Sequence, residues 1–153
     1  METVKERKPS PLSRFMPDEM AKRDGAGAER TYVGEVVESS TTELIAEARE
    51  LHGGPSFGQF IRIGADLPIL GIIYNVLTHS IEPNRRPTAY GKTEEELRLE
   101  QPQIFELLRT EFQALIIGYL DGGAPVQILP PQPATIHSFV HLCTDEEVRG
   151  FTG

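Results

Sequence analysis

Residues 57–77, FGQFIRIGADLPILGIIYNVL, contain two β-strand patterns joined by a turn. The first pattern alternates with a period of two, one face carrying Phe57, Gln59, Ile61 and Ile63. Such alternation is typical of a strand with one buried face. Gly64, Asp66 and Pro68 predict the turn. Residues 69–77 are then almost continuously apolar and predict the most buried strand of the fold.

Similar strand signals lie on both sides of this pair. Upstream, residues 32–38 predict a strand rich in β-branched side chains, followed by a turn at 39–42. Residues 43–48 continue as a second strand or as one helical turn, and periodicity does not decide between them. Downstream, residues 112–120 and 125–129 predict a hairpin around Asp121-Gly122-Gly123.

Helical signals are concentrated in an insertion, residues 93–110. Thr93 and Glu96 have the spacing of a capping box, so a helix is expected to begin there after an irregular segment at 79–91. Pro102 is expected to interrupt this helix and to start a second one. The second helix would have an apolar stripe of Ile104, Leu107 and Leu108.

These elements predict a mainly β fold: a small closed or nearly closed β-barrel of about six strands with a two-helix insertion. A second capping box, at Thr144 and Glu147, predicts a short C-terminal helix to about residue 151. The 153 residues suit one domain. Residues 1–30 lack apolar periodicity, which predicts a flexible tail. Residues 31–135 are expected to form the barrel, and residues 136–153 a C-terminal extension. Alternating βαβ units are missing, which argues against a doubly wound sheet.

Charge and composition restrict the environment and the partners. The chain has 15 basic and 23 acidic residues, a net charge of −8; residues 31–153 carry eight basic and 17 acidic residues, a net of −9. A body with this much negative charge repels polyphosphate backbones, which disfavours nucleic-acid binding. The single cysteine, the lack of a signal-peptide pattern and the lack of an apolar run long enough to span a membrane predict a cytoplasmic protein.

None of the catalytic or metal-binding patterns is complete. Gly91-Lys92-Thr93 is similar to the end of a phosphate-binding loop, but Arg86 stands where that loop needs its first glycine. His137 and His141 have a spacing that could place two metal ligands on one helix face, although structural histidines explain them better. Cys143 has no neighbouring base. We therefore expect no enzyme activity, no cofactor and no metal site.

A cationic and aromatic segment, residues 84–92, is the candidate partner-binding site. It contains Arg85, Arg86, Tyr90 and Lys92 on an otherwise acidic body. Arginine side chains bind carboxylates and phosphates in a bidentate manner, so the segment suits an anionic partner. Alternatively, Arg85 and Arg86 neutralise the protein's own glutamates across the barrel. The sequence leaves both interpretations open.

Several segments resemble the HAS-barrel family, the small barrel that begins HerA-type DNA-translocating ATPases and the ring subunits of rotary ATP synthases. These are Val33-Gly34-Glu35-Val36, residues 57–63 and residues 70–76. The chain is especially similar to standalone cyanobacterial members, through residues 85–93, 107–112 and 137–140. The resemblance covers roughly residues 31–142. Because the sequence contains no phosphate-binding loop, the resemblance implies an association module without a motor, and no catalytic residue is carried over.

Three functions remain in competition on the sequence. The first is a non-catalytic interaction or assembly module whose protein partner is an ATPase ring or a second copy of the chain. The second is a nucleic-acid-associated factor, by analogy with barrels that bind oligonucleotides. The third is a barrel that binds a small anionic ligand, such as a nucleotide, on residues 85–92.

Overall fold

A seven-stranded antiparallel sheet dominates the computed structural model, which describes residues 31–153. The predicted tail, residues 1–30, lies outside the described residues. The strands are β1 (Gly34–Ser39), β2 (Glu43–Ala48), β3 (Phe60–Ile63), β4 (Ile69–Ser80), β5 (Leu108–Asp121), β6 (Ala124–Val126) and β7 (Phe139–Leu142). The helices are α1 (Glu94–Glu100), a 3-10 helix (Pro102–Leu107) and α2 (Asp145–Thr152).

Six of these strands close into a barrel. The strand order is β2-β1-β7-β3-β4-β5-β6, and β2 also pairs with β5, which joins the two ends of the six-stranded part. β6 is an extra strand that forms a hairpin with the end of β5. Residues 43–48, left open between strand and helical turn, are a strand that pairs on both sides. The predicted mainly β barrel of about six strands is therefore confirmed.

The barrel interior is filled by side chains from all six strands. Phe112 on β5 is the largest fully buried side chain, and its ring lies against the backbone of β1 at Gly34. The other fully buried side chains are Val36, Leu44, Ile61, Ile63, Ile73 and Val140. Inward and outward residues alternate along β2, β3 and most of β5, as a barrel wall requires.

β4 is longer and less buried than the sequence predicted. It pairs with β5 from Ile69 to Ser80, but with β3 only from Ile69 to Ile72. Its second half therefore extends beyond β3, and there Tyr74 and Val76 are exposed. The prediction of the most buried strand fails for this half, since β3 no longer covers it. His79 and Ser80, expected to be irregular, belong to the strand.

β7 lies in a place that local sequence signals did not indicate. It pairs with β1 through Val140 and Phe139, and with β3 through residues 140–142. Residues 136–153 were expected to be an extension, yet this strand is a wall of the barrel. The partner strands are about 80 to 100 residues away in the sequence, so only the folded chain reveals the pairing.

The insertion and the last helix follow the predicted capping boxes. In both, the threonine hydroxyl accepts from the amide of the third helical residue, whose carboxylate accepts from the threonine amide. The second helix of the insertion is a 3-10 helix, and Leu108 already starts β5, so the predicted stripe of three side chains is broken.

The predicted return strand at 125–129 is shorter in the structure, where it spans Ala124–Val126. No helix within residues 31–153 has the length and apolar character needed to cross a membrane.

Candidate functional site

Residues 84–92 connect the projecting end of β4 to α1 and are exposed throughout. Two positive backbone φ angles shape the segment, 61° at Asn84 and 70° at Gly91. Asparagine and glycine are the residues that adopt this left-handed conformation most readily. The backbone thereby changes direction just before Arg85 and again just before α1.

Two of the three cationic side chains of this segment, Arg85 and Lys92, have local partners rather than partners across the barrel. Nη1 of Arg85 lies 3.1 Å from Oε1 of Glu82, although the Arg85 side chain stays 71% exposed. Lys92 donates from Nζ to Oε1 of Glu100 on α1. Exposed ion pairs of this kind contribute about 0–1 kcal/mol each. The two ion pairs therefore contribute little to the stability of the fold.

Of the four candidate residues, Arg86 and Tyr90 have no ionic or hydrogen-bonded partner within residues 31–153. Arg86 is exposed, and 41% of Tyr90 is exposed. Within these residues neither arginine pairs with a glutamate across the barrel. Arg85 is neutralised by a glutamate three residues earlier, and Arg86 remains available to a partner. The assignment of residues 85–92 as a binding site stays a prediction.

A groove of about 230 Å³ separates this segment from the helical insertion. One wall carries the charged and polar side chains of Glu82, Arg85, Arg86 and Tyr90. The opposite wall is apolar and comes from Leu97, Ile104, Phe105, Leu107 and Leu108. The groove can thus contact an apolar side chain on one wall and a carboxylate on the other.

The helical insertion was not among the predicted site residues. The signal that the sequence offers for this wall is the apolar stripe of Ile104, Leu107 and Leu108. In the structure neither helix of the insertion has a buried side chain. The Arg98 guanidinium lies 4.1 Å from the centre of the Phe105 ring, a cation–π distance.

The two histidines considered as metal ligands are not on a helix. His141 is in β7, and His137 is in the preceding loop with a φ of 75°. Nδ1 of His137 lies 2.5 Å from Oε2 of Glu35 on β1. In residues 31–153 no group of three or more His, Cys, Asp or Glu side chains is arranged to hold a metal ion.

Cys143 lies in a half-buried position between β7 and α2. Burial, followed by the nearby Glu147 carboxylate, raises the pKa of the Cys143 thiol to about 11, and Arg62 opposes this rise. At neutral pH the thiol is therefore protonated and a poor nucleophile. This agrees with the sequence, which places no base beside it.

Comparison with known proteins gives one finding. A family model described as HAS barrel domain matches residues 33–122. That range includes five of the six barrel strands, the segment at 84–92 and the whole helical insertion. A search of curated proteins finds no match.

Proposed function

Because the chain belongs to the HAS-barrel family, we propose that it is a non-catalytic protein-interaction or assembly module, whose partner is an ATPase ring or a second copy of the chain. The observation that carries the proposal is the exposed segment at 84–92. It presents Arg86 without a partner beside an apolar groove. A protein surface offers both an apolar side chain and a carboxylate, which fits the two walls of this groove.

The charge distribution supports a protein partner over a nucleic acid. Residues 31–153 carry a net charge of −9, and each phosphate contact would need a lysine or arginine. The groove offers two arginines, one of which is paired with Glu82. A surface patch of this size can hold one or two carboxylates of a protein, but it cannot follow a nucleic-acid backbone.

The proposal includes the absence of catalysis. The Cys143 thiol is protonated, and Arg86 stands where a phosphate-binding loop needs its first glycine, with Pro87 at the position after it. The exposed helix insertion is then best explained as a contact surface.

Capture from cells of the native host tests the proposal. The tagged wild type is compared with a variant in which Arg85→Glu and Arg86→Glu are combined. A matched control, Arg49→Glu with Arg149→Glu, makes the same change in net charge at exposed positions outside the segment. Captured proteins are cross-linked and quantified by mass spectrometry.

We expect the wild type and the control to retain the same partner and the Arg85/Arg86 variant to lose it. The loss corresponds to about 2–5 kcal/mol if the arginines are buried at the contact. Stability should change little, since exposed charges contribute less than about 1 kcal/mol each. Equal capture by all three proteins would contradict the assigned surface, and a folded wild type with no partner would contradict the function.

A further inference from the structure

The second half of β4 presents a backbone edge on the side away from β5. In an antiparallel pair, alternate residues exchange both backbone hydrogen bonds with the partner strand. The amide of Ile81 donates to the carbonyl of Leu107 at 2.8 Å, just beyond the paired end Ser80–Leu108. This fixes which residues of β4 bond to β5. The intervening residues, Val76, Thr78 and Ser80, direct their N–H and C=O groups to the open side.

At Val76 and Thr78 this edge is unpaired within the part of the chain that the structure describes, while the Ser80 carbonyl oxygen lies 2.9 Å from Nδ1 of His79. β3 covers β4 as far as Ile72, and two bonds at Ile73, with Gly58 and Gln59, continue the coverage by one residue. Beyond it, no backbone hydrogen bond within residues 31–153 reaches the outward groups of Val76 or Thr78. Such edges are normally blocked by proline, lysine or a covering loop. Residues 74–80 contain neither proline nor lysine.

We propose that this edge accepts one extended segment of a protein partner as an additional antiparallel strand, with an acidic residue near the N-terminal end of that segment. The addition of a strand uses main-chain hydrogen bonds for affinity and alternate side chains for specificity. The inference rests on the proposed function, since it takes the partner to be a protein.

The two ends of the edge differ in chemistry, and this sets the order of side chains along an incoming antiparallel strand. At the Ser80 end, a cavity of about 730 Å³ contains Arg85 and Arg86. At the Val76 end, a cavity of about 510 Å³ is lined by Phe57 and Tyr74, and the Phe57 side chain is 76% exposed. In an antiparallel strand, the residue opposite Ser80 comes four positions before the residue opposite Val76. The segment therefore has a carboxylate first and an apolar side chain four residues later.

A second copy of the same edge fits less well. Two β4 edges paired about Thr78 would place Ser80 of each chain opposite Val76 of the other. The arginines at one end would then meet Phe57 and Tyr74, and no carboxylate is found in the lining of that cavity. Two bodies that each carry a net charge of −9 over residues 31–153 would also repel each other. Charge and register both favour a different protein.

A displayed library of random 12-residue peptides, selected on the full chain, tests the inference. Selected peptides should carry Asp or Glu in their first third and an apolar residue four positions later. On binding, amide hydrogen exchange of Val76, Thr78 and Ser80 should slow, while that of Leu77 and His79 should stay unchanged because these amides already bond to β5.

A pair of substitutions at one position provides the control. Val76→Pro removes an amide that faces the open edge and leaves the bonds to β5 in place, whereas Val76→Ala keeps that amide. We expect Val76→Pro to weaken the selected peptides about tenfold or more, and Val76→Ala to change their affinity by less than about threefold. Should Val76→Pro fail to fold, the exchange measurement on the wild type decides the question.

Each outcome has one meaning for the inference. Failure to enrich peptides, equal binding to Val76→Pro, or protection of other amides overturns it. A wild-type dimer in sedimentation that Val76→Pro dissociates also overturns it, in favour of a second copy. If a host protein is captured equally by the wild type and Val76→Pro, the proposed function stands and this inference fails. If peptides protect the edge but no host protein is captured, the edge accepts a strand, and the proposed function fails together with the protein partner that this inference takes from it.

Discussion

The contact between Gly34 and Phe112 gives the sharpest test of the barrel. A Cβ atom added at Gly34 would lie 2.6 Å from both Cε1 and Cζ of the Phe112 ring, and 2.7 Å from the carbonyl oxygen of Glu47. Favourable contacts between carbon atoms are about 3.5–4.0 Å long, so the overlap is about 1 Å. The Phe112 ring is fully buried and cannot move toward solvent. The obstacle on the other side is backbone, so a side-chain rotation does not relieve it.

We therefore predict that Gly34→Ala destabilises the protein. Overpacking of a core costs about 1–3 kcal/mol, and clashes on two sides place this variant at about 3 kcal/mol. For a chain of this length, 1 kcal/mol moves the thermal midpoint by about 2–4 °C, so the midpoint should fall by about 6–12 °C. Urea unfolding followed by circular dichroism measures the free energy, and a thermal scan measures the midpoint.

Gly150→Ala is the matched control, because the same methyl group is added where no atom lies within 4 Å. Gly150 lies inside α2, where alanine is favoured over glycine by about 0.5–1 kcal/mol, so this variant should be slightly more stable than the wild type. The reasoning is refuted if Gly34→Ala is as stable as the wild type, or if both variants shift in the same direction.

Four further predictions concern single residues or the proposed absence of catalysis. Glu147→Ala should lower the free energy of unfolding by about 1–2 kcal/mol, because the variant loses two contacts. Oε1 of Glu147 accepts from the Thr144 amide at 2.8 Å, and Oε2 lies 3.2 Å from Nε of Arg62 in an ion pair without hydrogen-bond geometry. An unchanged urea midpoint would contradict this prediction. The Cys143 thiol, with its pKa raised from 9.0 to about 11, should react with iodoacetamide far more slowly than a free cysteine at pH 8, and its rate should keep rising with pH above 9; a rate that levels off below pH 9 would refute it. Because unfolding restores the ordinary pKa, this thiol should also contribute stability below pH 9 that is lost as the pH rises toward 11. The purified protein should not hydrolyse ATP, and turnover that Lys92→Ala abolishes would contradict the proposed absence of catalysis.

Local sequence signals predicted the elements whose stability is local. The alternation before Ile63 and the apolar run after Pro68 define β3 and β4, which are neighbours in sequence and in the sheet. Both capping boxes form as their spacing predicts, since each needs residues only three positions apart.

Long-range pairings account for what the sequence did not reveal. β7 has four residues and lies between two strands that occur far earlier in the chain, so its own composition carries little information. β4 continues through the polar residues Thr78, His79 and Ser80 because β5 pairs with them. The groove beside Arg86 likewise depends on how the insertion folds back, which no local pattern specifies.

The central claim is that residues 84–92 contact a protein. The most direct measurement replaces Tyr90 by the photo-reactive residue benzoylphenylalanine and irradiates cells of the native host. Tyr90 is 41% exposed and lines the groove, while Ile128, 64% exposed and outside it, is the control position. We predict a cross-link from position 90 to one host protein or to a second copy of the chain, and no such product from position 128. Cross-links to nucleic acid or to a nucleotide, or equal protein products from both positions, would contradict the claim.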